Sequence, residues 1–208
     1  MAYTDSVFAA VREAVKALQV LPRHYRGAAD DVITFLVRHA EAGDKRSWDG
    51  PDVRRPLSPA GFRQAEGLVV RMEDYPVERI LCSPTVRCQQ TVQPLARDRF
   101  LRIEPVAALG VDADTTEILE LFWGGRLRRA VLCTHGETIG RLLVQLAAQG
   151  LVAPEPLHWP KGSTWLLHRT DWRQVHARYL SPLALDRTRL GLPSGPVAPL
   201  RGEFTRLG

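Results

Sequence analysis

The sequence predicts an α/β fold, a three-layer α/β/α sandwich built around a mostly parallel central sheet. Three observations predict it. Short β-rich apolar runs at Val32–Val37, Arg79–Cys82 and Ala130–Thr134 alternate with helix-patterned stretches. Two of those stretches open on Ser-Pro, at Ser58-Pro59 and Ser83-Pro84, a serine cap followed by a proline where the missing N–H costs nothing. Each apolar run then ends abruptly in polar residues. Strand alternating with helix implies a parallel sheet covered on both faces.

Residues 4–20 read as a helix. Thr4, Asp5 or Ser6 can cap it, and Val7, Val11, Val15 and Leu18 form one apolar stripe for packing. Pro22 to Asp31 is a linker, so residues 1–31 form an N-terminal appendage. The main domain spans 32–180. It opens with Val32–Val37, read as a buried central strand that ends at Arg38-His39. Gly43 to Leu57 is a polar, turn-rich loop. Ser58 starts a helix to about Met72, and Arg79–Cys82 is a second strand. Ser83-Pro84 starts a helix to about Ala96, which Pro94 ends or kinks. Residues 102–111 carry no clear pattern. Thr115 to Phe122 is a short helix stopped by Gly124-Gly125. Ala130–Thr134 is a third strand, followed at His135-Gly136 by a helix to about Ala148. Thr164–His168 and Gln174–Leu180 are strands joined by a turn at Thr170-Asp171. From 181 to 208 the chain is a Pro- and Gly-rich tail without helix pattern.

The 208 residues suit one domain, and 45% hydrophobic residues suffice for a core. No apolar run approaches a membrane span, and no apolar stretch follows a basic start as in a secretory signal. Cys82, Cys88 and Cys133 show no metal-type pairing, and Cys82 and Cys133 fall in apolar runs as buried thiols. A reducing cytoplasm fits them. The net charge is +5, and the basic residues are arginines except for Lys16, Lys45 and Lys161. Arginine presents a planar fork matched to phosphate, so the charge allows an anionic partner. No basic patch is interleaved with aromatics, which disfavours nucleic acid. The six histidines show no ligand spacing, which disfavours a metal hydrolase.

In such sheets ligands bind beyond the carboxyl ends of the strands. The first strand releases Arg38-His39 there. The second releases Ser83-Pro84, with Arg87 one helical turn on, and the third releases His135-Gly136. If these strands are neighbours, two histidines and two arginines meet, together with helix N-termini whose N–H groups suit an anion. Phosphoryl transfer needs a positioned nucleophile and donors around three charged oxygens. A neutral imidazole is such a nucleophile when its second nitrogen is tied down. Arg38 and Arg87 supply charge-assisted bonds, and a protonated His135 adds a donor, so the rate should fall as that proton is lost. A carboxylic acid must protonate the leaving oxygen. Arg23-His24, which follows no strand, has no such address and is assigned no role. Geometry alone leaves a catalytic histidine and a plain anion site both open.

Four segments carry a resemblance. Phe35-Leu-Val-Arg-His-Ala-Glu41, Arg55-Pro-Leu-Ser-Pro-Ala-Gly61 with Gln64-Ala65, Cys82-Ser-Pro-Thr-Val-Arg-Cys-Gln-Gln-Thr91 and Val131-Leu-Cys-Thr-His-Gly136 resemble, in order, the motifs of the histidine phosphatase superfamily. That superfamily includes the phosphoglycerate mutases and the SixA-type phosphohistidine phosphatases. The resemblance implies that His39 is phosphorylated and that Arg38, Arg87 and His135 complete the phosphate pocket, without metal or cofactor. It places Arg55 at the pocket rim and Ser83 among the substrate contacts. The loop Gly43–Trp48 and Lys161-Gly-Ser-Thr-Trp165 are further similar to the phosphatase domain fused behind MutT-type Nudix hydrolases, which implies a nucleotide phosphate as substrate and Lys45 and Lys161 as contacts. No Nudix box is present. The family's glutamate donor has no direct counterpart; Asp112 is the nearest acid, with Asp114 and Glu117 close behind. The expected function is hydrolysis of a small phosphate ester or nucleotide phosphate. A protein phosphohistidine phosphatase and a non-catalytic phosphate-binding module are the alternatives. Phosphoglycerate mutase activity is disfavoured, because the chain lacks the insertions that would seal a pocket from water.

Overall fold

The computed structural model describes residues 32–148, 157–169 and 175–185. The helix expected at 4–20, its linker, the turn at Thr170-Asp171 and the tail beyond 185 lie outside these residues. The strands are β1 (Val32–Arg38), β2 (Arg79–Cys82), β3 (Ile103–Pro105), β4 (Ala130–Thr134), β5 (Thr164–Arg169) and β6 (Val175–Leu180). The helices are α1 (Pro59–Arg71), α2 (Val86–Asp98), α3 (Thr116–Trp123) and α4 (Gly136–Ala148).

The six strands form one sheet in the order β3-β2-β4-β1-β5-β6. The β1–β4, β2–β4 and β2–β3 pairings are parallel, and only β5 runs against its neighbours. The sheet is mostly parallel, as expected, with β5 the one reversed strand. Because strand side chains alternate between faces, β1 and β4 divide their apolar residues between two cores. Ile33, Phe35, Val37, Val131 and Cys133 pack with Leu68, Val92 and Leu95 of α1 and α2. Leu36, Ala130 and Leu132 pack on the other face with Ile118, Phe122, Ile139 and Leu143 of α3 and α4. This gives the three layers.

α1 begins as its sequence dictates: Ser58 Oγ accepts the Gly61 N–H at 3.1 Å, with Pro59 next to it. α2 differs from expectation at both ends. Ser83-Pro84 is not its start; Thr85 is the cap position and the helix runs from Val86 through Pro94 to Asp98. The reason at the start is that Ser83 Oγ is used inside the protein, as described below. At the end, Val92, Leu95 and Ala96 are buried against the sheet, and that burial outweighs the one backbone hydrogen bond Pro94 forfeits. The 102–111 stretch resolves into the edge strand β3 and a 3-10 turn at Ala107–Leu109. The polar 43–57 loop contains two further 3-10 turns, at Lys45–Ser47 and Asp52–Arg54. Among the described residues no helix is long and apolar enough to cross a membrane.

Candidate active site

The order of the sheet brings β1, β4 and β2 side by side, so their carboxyl ends meet. Arg38 pairs with Thr134 across β1 and β4, and the His39 N–H donates to the Thr134 carbonyl at 2.9 Å. Cys82 pairs with Cys133 across β2 and β4. His39 and His135 therefore leave adjacent strands, and their ring centroids lie 5.3 Å apart.

His39 is built to be neutral. Its Nδ1 lies 2.7 Å from the Ala40 carbonyl, which can only accept, so Nδ1 carries the proton and Nε2 carries the lone pair. Burial pushes its pKa down to about 3; the Ala40 hydrogen bond opposes this, and the nearby His135, Arg87 and Arg38 add to it. The backbone around the ring is tied on three sides. Ala40 N–H donates to Thr91 Oγ1, whose hydroxyl in turn donates to the Arg87 carbonyl one turn earlier in α2. Gly162 N–H donates to the His39 carbonyl, and Arg38 N–H donates to the Ser163 carbonyl. Gly162 makes this turn possible, since its φ of +78° suits glycine.

Arg38 NH1 donates to the Trp159 carbonyl at 2.8 Å, and its guanidinium lies flat against Gly136 at the start of α4. Its Nε is buried without a hydrogen-bond partner, as are Arg87 Nε and Ser163 Oγ. Arg87 is 3% exposed. Its NH2 faces His135 Nδ1 at 3.5 Å. Guanidinium only donates, so in this contact Nδ1 accepts and Nε2 donates to Ser83 Oγ at 2.9 Å. Cys88 Sγ lies 3.8 Å from the same Nε2. The other thiols, Cys82 and Cys133, are also buried, and burial pushes Cys82 up to about 12.

Ser83, expected among the substrate contacts, is fully buried and spends its hydroxyl on His135 and Thr85. Arg55 is 9% exposed; its Nε meets Asp52 Oδ1 at 2.9 Å and its NH1 donates to the Gly43 carbonyl. Lys45 is exposed and close enough to Asp52 to help keep that carboxylate ionised. Lys161 is half-buried on the turn whose Gly162 binds His39.

The three candidate acids separate. Asp114 is spent on the start of α3, accepting from Thr116 N–H and Oγ1. Glu117 is exposed on α3. Asp112 is exposed on a loop strapped to β4 and α4: Thr134 and Thr138 hydroxyls donate to the Leu109 and Gly110 carbonyls, and Arg141 donates to the Val111 and Ala113 carbonyls. No contact joins Asp112 to His39 or His135, but its loop runs beside the start of the helix that follows His135.

Asp52 escaped sequence reasoning. Its Oδ2 meets Arg87 NH2 at 3.0 Å and its backbone carbonyl accepts from Arg87 NH1 at 2.7 Å. Asp52 thus joins Arg55 and Arg87. The available signal, an acid three residues before an arginine in an aperiodic loop, is too common to single out. Among the described residues no cluster of three His, Cys, Asp or Glu is arranged to hold a metal ion.

Known proteins resemble this chain in sequence and in fold. Residues 34–110 match the model of the histidine phosphatase superfamily, branch 1. An 8-oxo-(d)GTP phosphatase of Mycolicibacterium smegmatis is 35% identical over 171 residues, covering 79% of this chain and 52% of that protein. The chain thus spans about half the length of this curated relative. A structure from Agrobacterium tumefaciens assigned as the phosphohistidine phosphatase SixA superposes with a TM-score of 0.58 at 25% identity, covering 74% of this chain and 99% of that one. A protein histidine phosphatase SixA complexed with tungstate shares the fold, with a TM-score of 0.54 at 18% identity over 74% of this chain and 97% of that one.

Proposed function

Since the chain belongs to the histidine phosphatase superfamily, we propose that it is a phosphatase that transfers a phosphoryl group to His39 Nε2 and then to water. The observation that carries this reading is the state of His39: Nδ1 is locked as a donor to Ala40, burial keeps the ring neutral, and Nε2 holds a free lone pair next to two arginines. A plain anion site has no use for a neutral ring so arranged.

Nε2 attacks phosphorus while the bond to the leaving oxygen breaks, and that oxygen takes a proton from a carboxylic acid. Arg38 and Arg87 hold the equatorial oxygens by charge-assisted bonds, and the first N–H groups of α4 face the same charge. Water then attacks the phosphohistidine and gives a proton to the same carboxylate. Phosphate leaves and His39 is restored. Asp112 is our candidate for the acid, because Asp114 is committed to capping and the Asp112 loop is fixed beside His135. His135, whose ring nitrogens meet Ser83 and Arg87, lies across from His39 and completes the wall of the pocket. Arg55, Lys45 and Lys161 form the rim.

The substrate class is a nucleotide phosphate. The relative named as an 8-oxo-(d)GTP phosphatase favours it, as do cationic groups beyond those one phosphoryl needs. The second reading, a protein phosphohistidine phosphatase, is favoured by the likeness to the Agrobacterium structure, which this chain covers almost completely. The test is phosphate release from nucleoside mono-, di- and triphosphates, sugar phosphates and a phosphohistidine protein, with His39→Ala alongside. Release by the wild type alone, with a phosphoryl-protein trapped on denaturation, supports the phosphatase. Equal release by both proteins refutes the role of His39. The best substrate decides between the two classes.

A further inference from the structure

We infer that Asp52 is a positioning residue, the carboxylate that holds Arg87 and Arg55 together and docks the 43–57 loop onto the phosphate pocket. This rests on the phosphatase reading for the role of Arg87. Asp52 is not one of the candidate acids, and it lies in a segment whose sequence shows no periodic pattern.

The argument begins with what Arg87 needs. A guanidinium buried to 3% exposure on α2 keeps several N–H donors that the apolar core cannot satisfy. Asp52 satisfies two of them from two different atoms: the carboxylate Oδ2 at 3.0 Å from NH2 and the backbone carbonyl at 2.7 Å from NH1. Two acceptors from one residue fix both the plane and the rotation of the guanidinium, and a single ion pair would leave rotation free. The second carboxylate oxygen, Oδ1, is taken by Arg55 Nε at 2.9 Å. Arg55 in turn ties the start of the loop through the Gly43 carbonyl. The chain of contacts runs from Gly43 through Arg55 and Asp52 to Arg87 and then to His135.

The charge state fits this role and not that of a proton donor. The Arg55 hydrogen bond and the charges of Arg87, Arg55 and Lys45 outweigh burial and hold the Asp52 carboxyl below the usual carboxylate range. An ionised carboxylate is a lasting acceptor for two arginines and has no proton to give a leaving group. Arg87 Nε, buried without a hydrogen-bond partner, remains as a donor for an oxyanion.

Removing the carboxylate should therefore loosen phosphate binding more than the chemical step. The experiment measures two things on the full chain: affinity for inorganic phosphate by equilibrium titration, and KM and kcat on the best substrate of the panel. For Asp52→Ala the expected result is a fall in phosphate affinity of about tenfold or more, a matching rise in KM and a kcat within about fivefold of wild type. Asp52→Glu, which keeps the charge, should recover part of the affinity, and Asp52→Asn should lie between. Because Asp52→Ala leaves the buried Arg87 guanidinium short of its carboxylate partner, its melting temperature should fall, and affinity and KM are read at a temperature where the variant is folded. Were Asp52→Ala to misfold, Asp52→Asn carries the same test. Unchanged phosphate affinity in a folded variant overturns the inference, and so does a loss confined to kcat. The titration needs no turnover. Failure of the phosphatase reading would show as wild-type phosphate binding without hydrolysis, and the Asp52 variants would still decide the inference.

Discussion

Gly136→Ala should separate activity from stability. Gly136 opens α4 directly after His135, and the Arg38 guanidinium rests against it. A methyl group at Gly136 would lie 2.8 Å from Arg38 Cζ, 2.9 Å from Nε and 3.1 Å from NH2. Carbon atoms prefer about 3.5–4.0 Å, so the guanidinium must move by about 1 Å. The movement is cheap for the fold, because the obstacle is the end of a side chain, and alanine is the better helix former by up to about 1 kcal/mol. It is expensive for the site. Arg38 is held at the Trp159 carbonyl, and a misplacement of about 1 Å in a positioning group can cost about a hundredfold in rate, roughly 2.7 kcal/mol. The assay is kcat/KM on the best substrate beside a thermal melt. The expected result is a fall of roughly a hundredfold with a melting temperature close to wild type. Arg38→Ala provides the control: adding Gly136→Ala to it should change little more, because the two act through one group. A Gly136→Ala protein within threefold of wild type, or additive losses in the double variant, would refute the argument.

Three other outcomes follow from the same geometry. Ser83→Ala removes the acceptor for His135 Nε2 inside a fully buried network; the loss of about 1–3 kcal/mol should appear as a roughly ten- to hundredfold drop in kcat/KM, and an unchanged value would mean that His135 is oriented by other contacts. Because the folded pKa of His39 is about 3 against an ordinary 6.5, the unfolded chain binds its proton first as pH falls; stability should rise with pH between about 3 and 6.5, by up to about 1.4 kcal/mol per unit. Urea midpoints for wild type and His39→Asn across that range check this, and equal slopes would contradict it. Gly67 packs in α1 against the Leu183 carbonyl, with no room for a methyl group, so Gly67→Ala should destabilise by about 2 kcal/mol or more while kcat stays near wild type, and an unchanged urea midpoint would show that residues 181–185 do not dock there.

Much of this site was legible because strand ends are legible. An apolar run such as Val32–Val37 or Ala130–Thr134 marks a buried strand, and the residue after it must emerge at the sheet's carboxyl edge. That rule places Arg38, His39 and His135 at one edge, and one helical turn places Arg87. Ser83 is placed as well, with its hydroxyl turned to His135 and Thr85. A serine before proline is a good cap signal, and nothing local reveals that its hydroxyl turns inward to His135 instead. Helix α2 then begins two residues late for that reason. Pro94 misled in the opposite direction, since local chemistry marks it as a breaker and only the burial of Val92 and Leu95 shows why the helix continues.

Asp52 and Thr91 were illegible for a different reason: their partners are distant in sequence. Thr91 reaches Ala40 across 51 positions, and Asp52 reaches Arg87 across 35. A strand fixes where its end points, whereas a loop is fixed by what it lands on. The 43–57 loop lands on Arg87 by an ion pair and a backbone contact, and its sequence contains only half of that interaction. The same asymmetry bears on the acid. The Asp112 loop is anchored through its backbone carbonyls to Thr134, Thr138 and Arg141, so its path is set without using the Asp112 side chain. That side chain is left exposed, so the acid we propose has a position set by its neighbours' backbone rather than by its own contacts.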